Sequence, residues 1–202
     1  MLKDPYCAIC ASPEVETEYC SREHADDFFD KVNSVGIYYQ KCFNKGDLLS
    51  DHILKLKNDR TYAEPIGKSM GIVAREIYPD LLESDGIVFI PLYIAEFAIR
   101  GFNQSLELAK VLRRETNLPI ICNLEKTRMH SQRNLNFSAR REAVDGLYQI
   151  QDSDSVKDKK LIIVDDVFTS GATCSEIAKI LKSANAKSVR VFVAGRTNYR
   201  RG

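Results

Sequence analysis

Thirteen residues, Leu161 to Thr173, constrain this chain more than any other stretch. Leu161-Ile162-Ile163-Val164 is apolar and mostly β-branched, the pattern of a strand buried on both faces of a helix-covered parallel sheet. Asp165 and Asp166 follow at its carboxyl end, then Val167-Phe168, then the small residues Thr169-Ser170-Gly171-Ala172-Thr173. Beyond them Cys174, Ile177, Ala178, Leu181 and Ala184 recur at helical spacing. A strand, a short loop and a helix N-terminus together build an anion site, because backbone N–H groups and the positive end of the helix dipole face the loop. Gly171 permits close backbone approach, and the hydroxyls of Thr169, Ser170 and Thr173 add donors suited to a phosphate monoester. Asp165 and Asp166 would lie just beyond that phosphate, where they can accept from sugar hydroxyls or hold a hydrated Mg²⁺. Two neighbours on a regular strand point to opposite faces, so the backbone is expected to leave strand geometry at Asp165. The plainer alternative is an ordinary strand-to-helix turn with a hydroxyl cap and two solvated aspartates, but the whole pattern is far rarer than its parts.

At 202 residues the chain fits one domain plus a small appendage. An apolar fraction of 44% supports a real core, and a net charge of +1 gives no global electrostatic case for nucleic acid or membrane. No apolar run approaches the ~20 residues that span a bilayer, and Met1-Leu2-Lys3-Asp4-Pro5 does not read as a signal peptide. Three of the six cysteines fall in the first twenty residues and the rest are scattered, which argues against a disulfide framework and for a reduced, cytoplasmic setting.

The appendage is residues 1–27. Cys7-Ala8-Ile9-Cys10 precedes Cys20-Ser21-Arg22-Glu23-His24 by nine intervening residues. Two thiolates on a tight knuckle, with a thiolate and an imidazole one helical turn apart, can close a tetrahedral structural Zn²⁺ site from Cys7, Cys10, Cys20 and His24. Ser21 suits the N-cap of the helix this requires. Free cysteines with a surface histidine are the alternative; Cys42 is a weaker fourth ligand than His24. A redox Cys-x-x-Cys lacks its strand and helix context.

Residues 28–202 form the main domain. Phe28 to Cys42 predicts a hairpin turning at Asn33-Ser34 and Gly36. Leu49, Ile53 and Leu56, then Ile66, Met70, Val73 and Ile77, mark two helices. Gly67-Lys68-Ser69 imitates the end of a phosphate-binding Walker loop, but no strand precedes it, so it belongs on the second helix. Ile87-Val88-Phe89-Ile90-Pro91 reads as the first buried strand. A helix follows with Phe102, Leu106, Ala109 and Leu112 on one face, then a strand at Pro119-Ile120-Ile121-Cys122. This alternation argues a parallel α/β sheet, whose ligands sit beyond the carboxyl ends of strands. Residues 123–141 carry Lys126, Arg128, His130, Arg133, Arg140 and Arg141 and read either as a solvated loop or as a basic lid over an anionic ligand. Asp145-Gly146 is a turn, Leu147 to Ile150 a short strand, and Ser188 to Ala194 the last strand.

The Leu161–Thr173 run resembles the phosphoribosyl pyrophosphate (PRPP) signature of type I phosphoribosyltransferases at every position. The order of the cysteine knuckle, Ile90-Pro91-Leu92, Arg100-Gly101-Phe102-Asn103-Gln104, Gln132-x-x-Leu135-x₄-Arg140, the acidic pair and Ala194-Gly195-Arg196 resembles the ComF family, linked to competence and DNA uptake. That resemblance implies a type I phosphoribosyltransferase fold, a mostly parallel sheet flanked by helices, with an N-terminal zinc-binding element. It also implies a ligand site of Asp165, Asp166, Val167, Phe168, Thr169, Ser170, Gly171, Ala172 and Thr173, with Arg100, and Arg128 or Arg133 beside it, toward the pyrophosphate. Three departures stand out: Tyr93 replaces a second proline, Glu96-Phe97-Ala98 replaces a more basic stretch, and Ala143 replaces an asparagine.

As an enzyme such a protein would transfer the phosphoribosyl group of PRPP to a nitrogen acceptor with Mg²⁺, Asp165, Asp166 and Arg100 acting at the reacting centre. A sensor that binds PRPP, a nucleotide or a ribose 5-phosphate without turnover is a rival. An adapter for single-stranded DNA or DNA-uptake proteins is another, though few aromatic residues interleave with the basic ones for stacking. A homodimer is kept open, and no membrane partner is expected.

Overall fold

The structure is a computed structural model that describes residues 28–39, 47–121, 124–129 and 144–197. The proposed zinc ligands Cys7, Cys10, Cys20 and His24, and lid residues 130–141, lie outside them.

Among the described residues four strands, β1 (Lys31–Tyr38), β2 (Gly86–Phe89), β5 (Lys160–Phe168) and β6 (Ser188–Thr197), form one parallel sheet in the order β1-β6-β5-β2. Two short strands, β3 (Leu124–Lys126) and β4 (Tyr148–Ile150), pair antiparallel as a separate flap. The helices are α1 (Leu48–Leu56), α2 (Ala63–Glu76), α3 (Ile94–Arg100), α4 (Gln104–Thr116) and α5 (Ala172–Ser183).

Both faces of the sheet are covered, as the β-branched strands require. On one face Ile53 and Leu56 of α1, Ile66 and Met70 of α2, and Leu108, Ala109 and Leu112 of α4 pack on Ile87, Ile162, Val164, Phe192 and Ala194. On the other, Cys174, Ile177, Ala178 and Leu181 of α5 join Leu124, Leu147 and Tyr148 of the flap region against Leu161, Ile163, Val189, Val191 and Val193. Gly67 lies within α2 as expected, and its reason is packing. A Cβ there would fall 2.4 Å from the Cβ of Val111, and one at Gly71, a turn later, 2.5 Å from that of Glu115. The two glycines let α2 lie close against α4.

Three expectations are corrected. No hairpin occupies residues 28–39: β1 is one strand, pairing in parallel from Lys31↔Arg190 to Tyr38↔Thr197, with Asn33 and Ser34 buried within it. Long-range pairing with β6 overrides the local turn preference. The strand expected at Pro119 to Cys122 reduces to a bridge between Ile87 and Ile120 within the described residues. The core face of α4 is Ser105, Leu108, Ala109, Val111 and Leu112, and Leu106 is only partly buried. Ser105 sets this rotation, its hydroxyl accepting from the Ile90 N–H (2.8 Å) and donating to the Val164 carbonyl.

Candidate functional site

Asp165 and Asp166 stand half-buried at the carboxyl end of β5. Asp165 pairs with Val193 and Val167 with Gly195, but the row between them drops out of the pairing; the β1–β6 ladder skips the same row, from Ser34↔Val193 to Gly36↔Gly195. Before that row Ile162 and Val164 face α1, α2 and α4; after it Val167 lies on that side and Phe168 on the α5 side, so the alternation has slipped by one. The irregularity therefore falls at Asp166 rather than Asp165, and the strand resumes to Phe168. Asp166 Oδ1 accepts the N–H of Val167 at 2.7 Å.

The loop turns at Gly171, whose φ of +73° suits glycine, and which precedes the first residue of α5. A Cβ on Gly171 would meet the Phe168 ring at 2.6 Å, so the loop is packed onto that ring from outside. Phe168 in turn meets the edge of Phe29 at 5.8 Å and 84°. Ser170 Oγ lies 3.4 Å from the Ala172 N–H, Thr173 is half-buried and Thr169 exposed at the loop's crest.

Electrostatics tie a second segment to this one. Burial raises Asp165 well above the usual carboxylate range, the charge of Asp166 adds to the rise, and the Arg100 guanidinium partly offsets it. Arg100 ends α3, Gly101 closes that helix in the left-handed conformation, and an Arg100 N–H donates to Gln104 Oε1 at 3.2 Å. Asn103 caps α4 by accepting from Leu106 N–H at 3.0 Å and donates to the Ile90 carbonyl at 2.9 Å. Thus Arg100 to Ser105 is a clamp fastening a helix start to the ends of β2 and β5, with Arg100 as its outward charge.

Of the lid cations, Lys126 and Arg128 fall among the described residues. Lys126 does not stand open to a ligand: its Nζ lies 2.8 and 3.0 Å from the two Glu96 oxygens. Arg128 is exposed, 3.5 Å from the Asp145 carbonyl. Tyr148 belongs to the short strand legible in the sequence, with no functional signal there. It is buried, and desolvation together with the acidic groups of Asp165, Glu96, Cys174 and Glu176 raises its phenol, which stays protonated. Its place at a strand start gave no signal; the flap folding back over β5 supplies it. No cluster of three or more metal-ligating side chains occurs among the described residues.

A parallel sheet with an acidic pair and a glycine-turned loop at one strand end defines a phosphoribosyltransferase-like architecture. The family model described as the phosphoribosyl transferase domain matches residues 92–201, more than half of the chain, and the chain belongs to that family. Competence protein F of Haemophilus influenzae is 27% identical over 197 residues, covering 93% of this chain and 83% of the relative. Competence protein ComFC of Streptococcus pneumoniae is 26% identical over 165 residues, covering 78% and 68%. These relatives identify the branch as ComF. Among solved structures, glutamine PRPP amidotransferase from B. subtilis complexed with ADP and GMP superposes with a TM-score of 0.46 at 20% identity, over 65% of this chain and 26% of that one.

Proposed function

We propose that this protein binds PRPP at the carboxyl end of β5 and transfers its phosphoribosyl group to a nitrogen acceptor. The observation that carries this reading is the meeting of two distant segments at the carboxyl end of β5: the acidic pair beside the Gly171 loop, and the Arg100–Ser105 segment, held to that strand by the Ser105 hydroxyl on the Val164 carbonyl, with the Arg100 charge felt at Asp165. The loop takes the 5′-phosphate at the α5 N-terminus. Asp165 and Asp166 hold the ribose hydroxyls, and Arg100 faces the pyrophosphate. The bond between C1 and the pyrophosphate oxygen breaks, its electron pair leaving with pyrophosphate, while the acceptor nitrogen bonds to C1 and gives up a proton. The ribose carries positive charge in passage, which the two carboxylates favour.

Two half-buried carboxylates that repel one another fit Mg²⁺, which takes one or two carboxylates and completes its shell with ligand phosphates and water. Bound there, the ion would neutralise pyrophosphate. Cys7, Cys10, Cys20 and His24 are the donor set of a structural Zn²⁺ site. The relatives' competence names favour a second reading, in which a PRPP-binding protein serves DNA uptake without turnover.

Calorimetric titration of PRPP with Mg²⁺, followed by pyrophosphate release over a panel of bases and amines, separates the two. Arg100→Ala should weaken PRPP by roughly 10- to 100-fold, since a hydrogen bond to a charged group contributes about 1.5–3 kcal/mol. Ribose 5-phosphate should bind nearly unchanged, and equal losses would make Arg100 structural. Asn at both Asp165 and Asp166 should preserve or strengthen PRPP binding without Mg²⁺, where two negative charges no longer face a polyanion, yet remove turnover with the metal present, the mark of a contact made in the transition state. Full activity in that double variant would overturn the assignment of the pair.

A further inference from the structure

We propose that the Glu96–Lys126 ion pair is a latch between α3 and the β3–β4 flap that positions Arg100, an inference that rests on the PRPP reading for its ligand. The helix bearing Arg100 is poorly anchored by ordinary means. None of its seven residues is buried, and Ile94, Phe97 and Ile99 are 71%, 44% and 78% exposed. Apolar packing therefore contributes little to its orientation, and polar ties must supply it. Glu96 Oε2 accepts from the Tyr93 N–H at 3.0 Å, fixing the first turn, and both Glu96 oxygens receive the Lys126 ammonium.

This pair differs from the other described ion pairs in its shielding. Its side chains are 17% and 9% exposed, while no other described pair has both partners so withdrawn. A shielded pair is costly to break from one side, because the remaining charge is left without a partner. Glu96 and Arg100 are one helical turn apart, so fixing the former fixes the face that presents the latter. Lys126 sits on β3, opposite Tyr148 of β4, whose hydroxyl lies in the field of both Glu96 and Asp165. Latch, flap and acidic strand thus form one continuous set. Glu96 and Lys126 act here as positioning residues, through Arg100.

The test uses the full chain, with Glu96→Gln and Lys126→Met. Gln can still accept from the Tyr93 N–H, and Met leaves Glu96 in place, so each variant retains the helix start. Hydrogen exchange reads the latch without any ligand: amides of Ile94–Arg100 should exchange faster in both variants, while those of α4 and β5 do not. Calorimetry then reads the positioning. Each variant should lose roughly 10- to 100-fold in Mg²⁺–PRPP affinity, the scale of a displaced charged group. Ribose 5-phosphate affinity should hold within about twofold, and Lys126→Arg, which keeps the ion pair and leaves the Tyr93 contact in place, should retain most of the PRPP affinity. Unchanged exchange in α3, or equal losses for the two ligands, would overturn the latch. Faster exchange in a protein whose parent does not bind PRPP would uphold the latch as a strut and overturn the PRPP reading instead.

Discussion

Gly171 meets two demands at once, a positive φ and the absence of a Cβ where the Phe168 ring lies 2.6 Å away. Gly171→Val should therefore abolish binding of any 5′-phosphorylated ligand while leaving circular dichroism of the domain intact. A variant that still bound ribose 5-phosphate would place the phosphate elsewhere. Asp165 makes a pH prediction. Its ordinary value is 3.8, and burial with the charge of Asp166 raises it in the folded state. Between those two values the folded form holds a proton the unfolded chain has lost. The neutral carboxyl's contribution is thus complete below the unfolded value and disappears as pH climbs through the folded one. Asp165→Asn stays neutral throughout. Without Mg²⁺ it should raise the unfolding temperature at neutral pH, and the gain should fade toward about pH 4, where the parent carboxyl is also neutral. Identical unfolding temperatures across the range would show that Asp165 is not under electrostatic strain.

Helix contacts decide the next scale. The α2–α4 crossing is built on Gly67 and Gly71, and the Cβ of Val111 cannot rotate away from an added methyl. Gly67→Ala gains about 1 kcal/mol of helix propensity. Overpacking costs about 1–3 kcal/mol, so the net effect in urea unfolding should be destabilising. A stabilised variant would mean the helices part freely. Ser105 joins two strands through one hydroxyl; Ser105→Ala leaves the buried Ile90 N–H without its partner, a loss of about 1–3 kcal/mol. The same unfolding curves would report it. In both cases an element's position, rather than its existence, depends on one small residue.

For the whole molecule, the described residues carry a core on both faces of the sheet. Phe28, at its edge, has its N–H 3.3 Å from Ser175 Oγ, and the buried Phe29 meets the Phe168 ring edge-on. A zinc element in residues 1–27 would add its own folding energy. Purified protein should hold about one Zn²⁺ per chain. Cys10→Ser should lose it while the cooperative unfolding of the remaining domain persists. Metal analysis finding no zinc in protein prepared without chelator would overturn the site.

Local sequence determined much of this protein because its signals are short-range. The buried run Leu161–Val164, the hydroxyl loop after Phe168 and the helical spacing of Ile53 and Leu56 or Ile66 and Met70 each act within a few residues and each is present, although the helix takes in Ala172 and Thr173 and leaves a loop of Thr169, Ser170 and Gly171. The β-α alternation likewise carried the parallel sheet. Pairing partners were not legible. Lys31–Tyr38 reads as a hairpin until β6 lies beside it, since turn residues yield when a neighbouring strand satisfies their backbone groups. The same holds for the skipped row at Asp166, which belongs to three strands together. Charges behaved in the same way: Lys126 looks like a ligand cation in a basic run, and only the docking of β3 against α3 gives it Glu96. Composition and periodicity specify which face a residue turns inward, but the neighbour it meets there is fixed by contacts remote in sequence, and those exist only once the chain has folded.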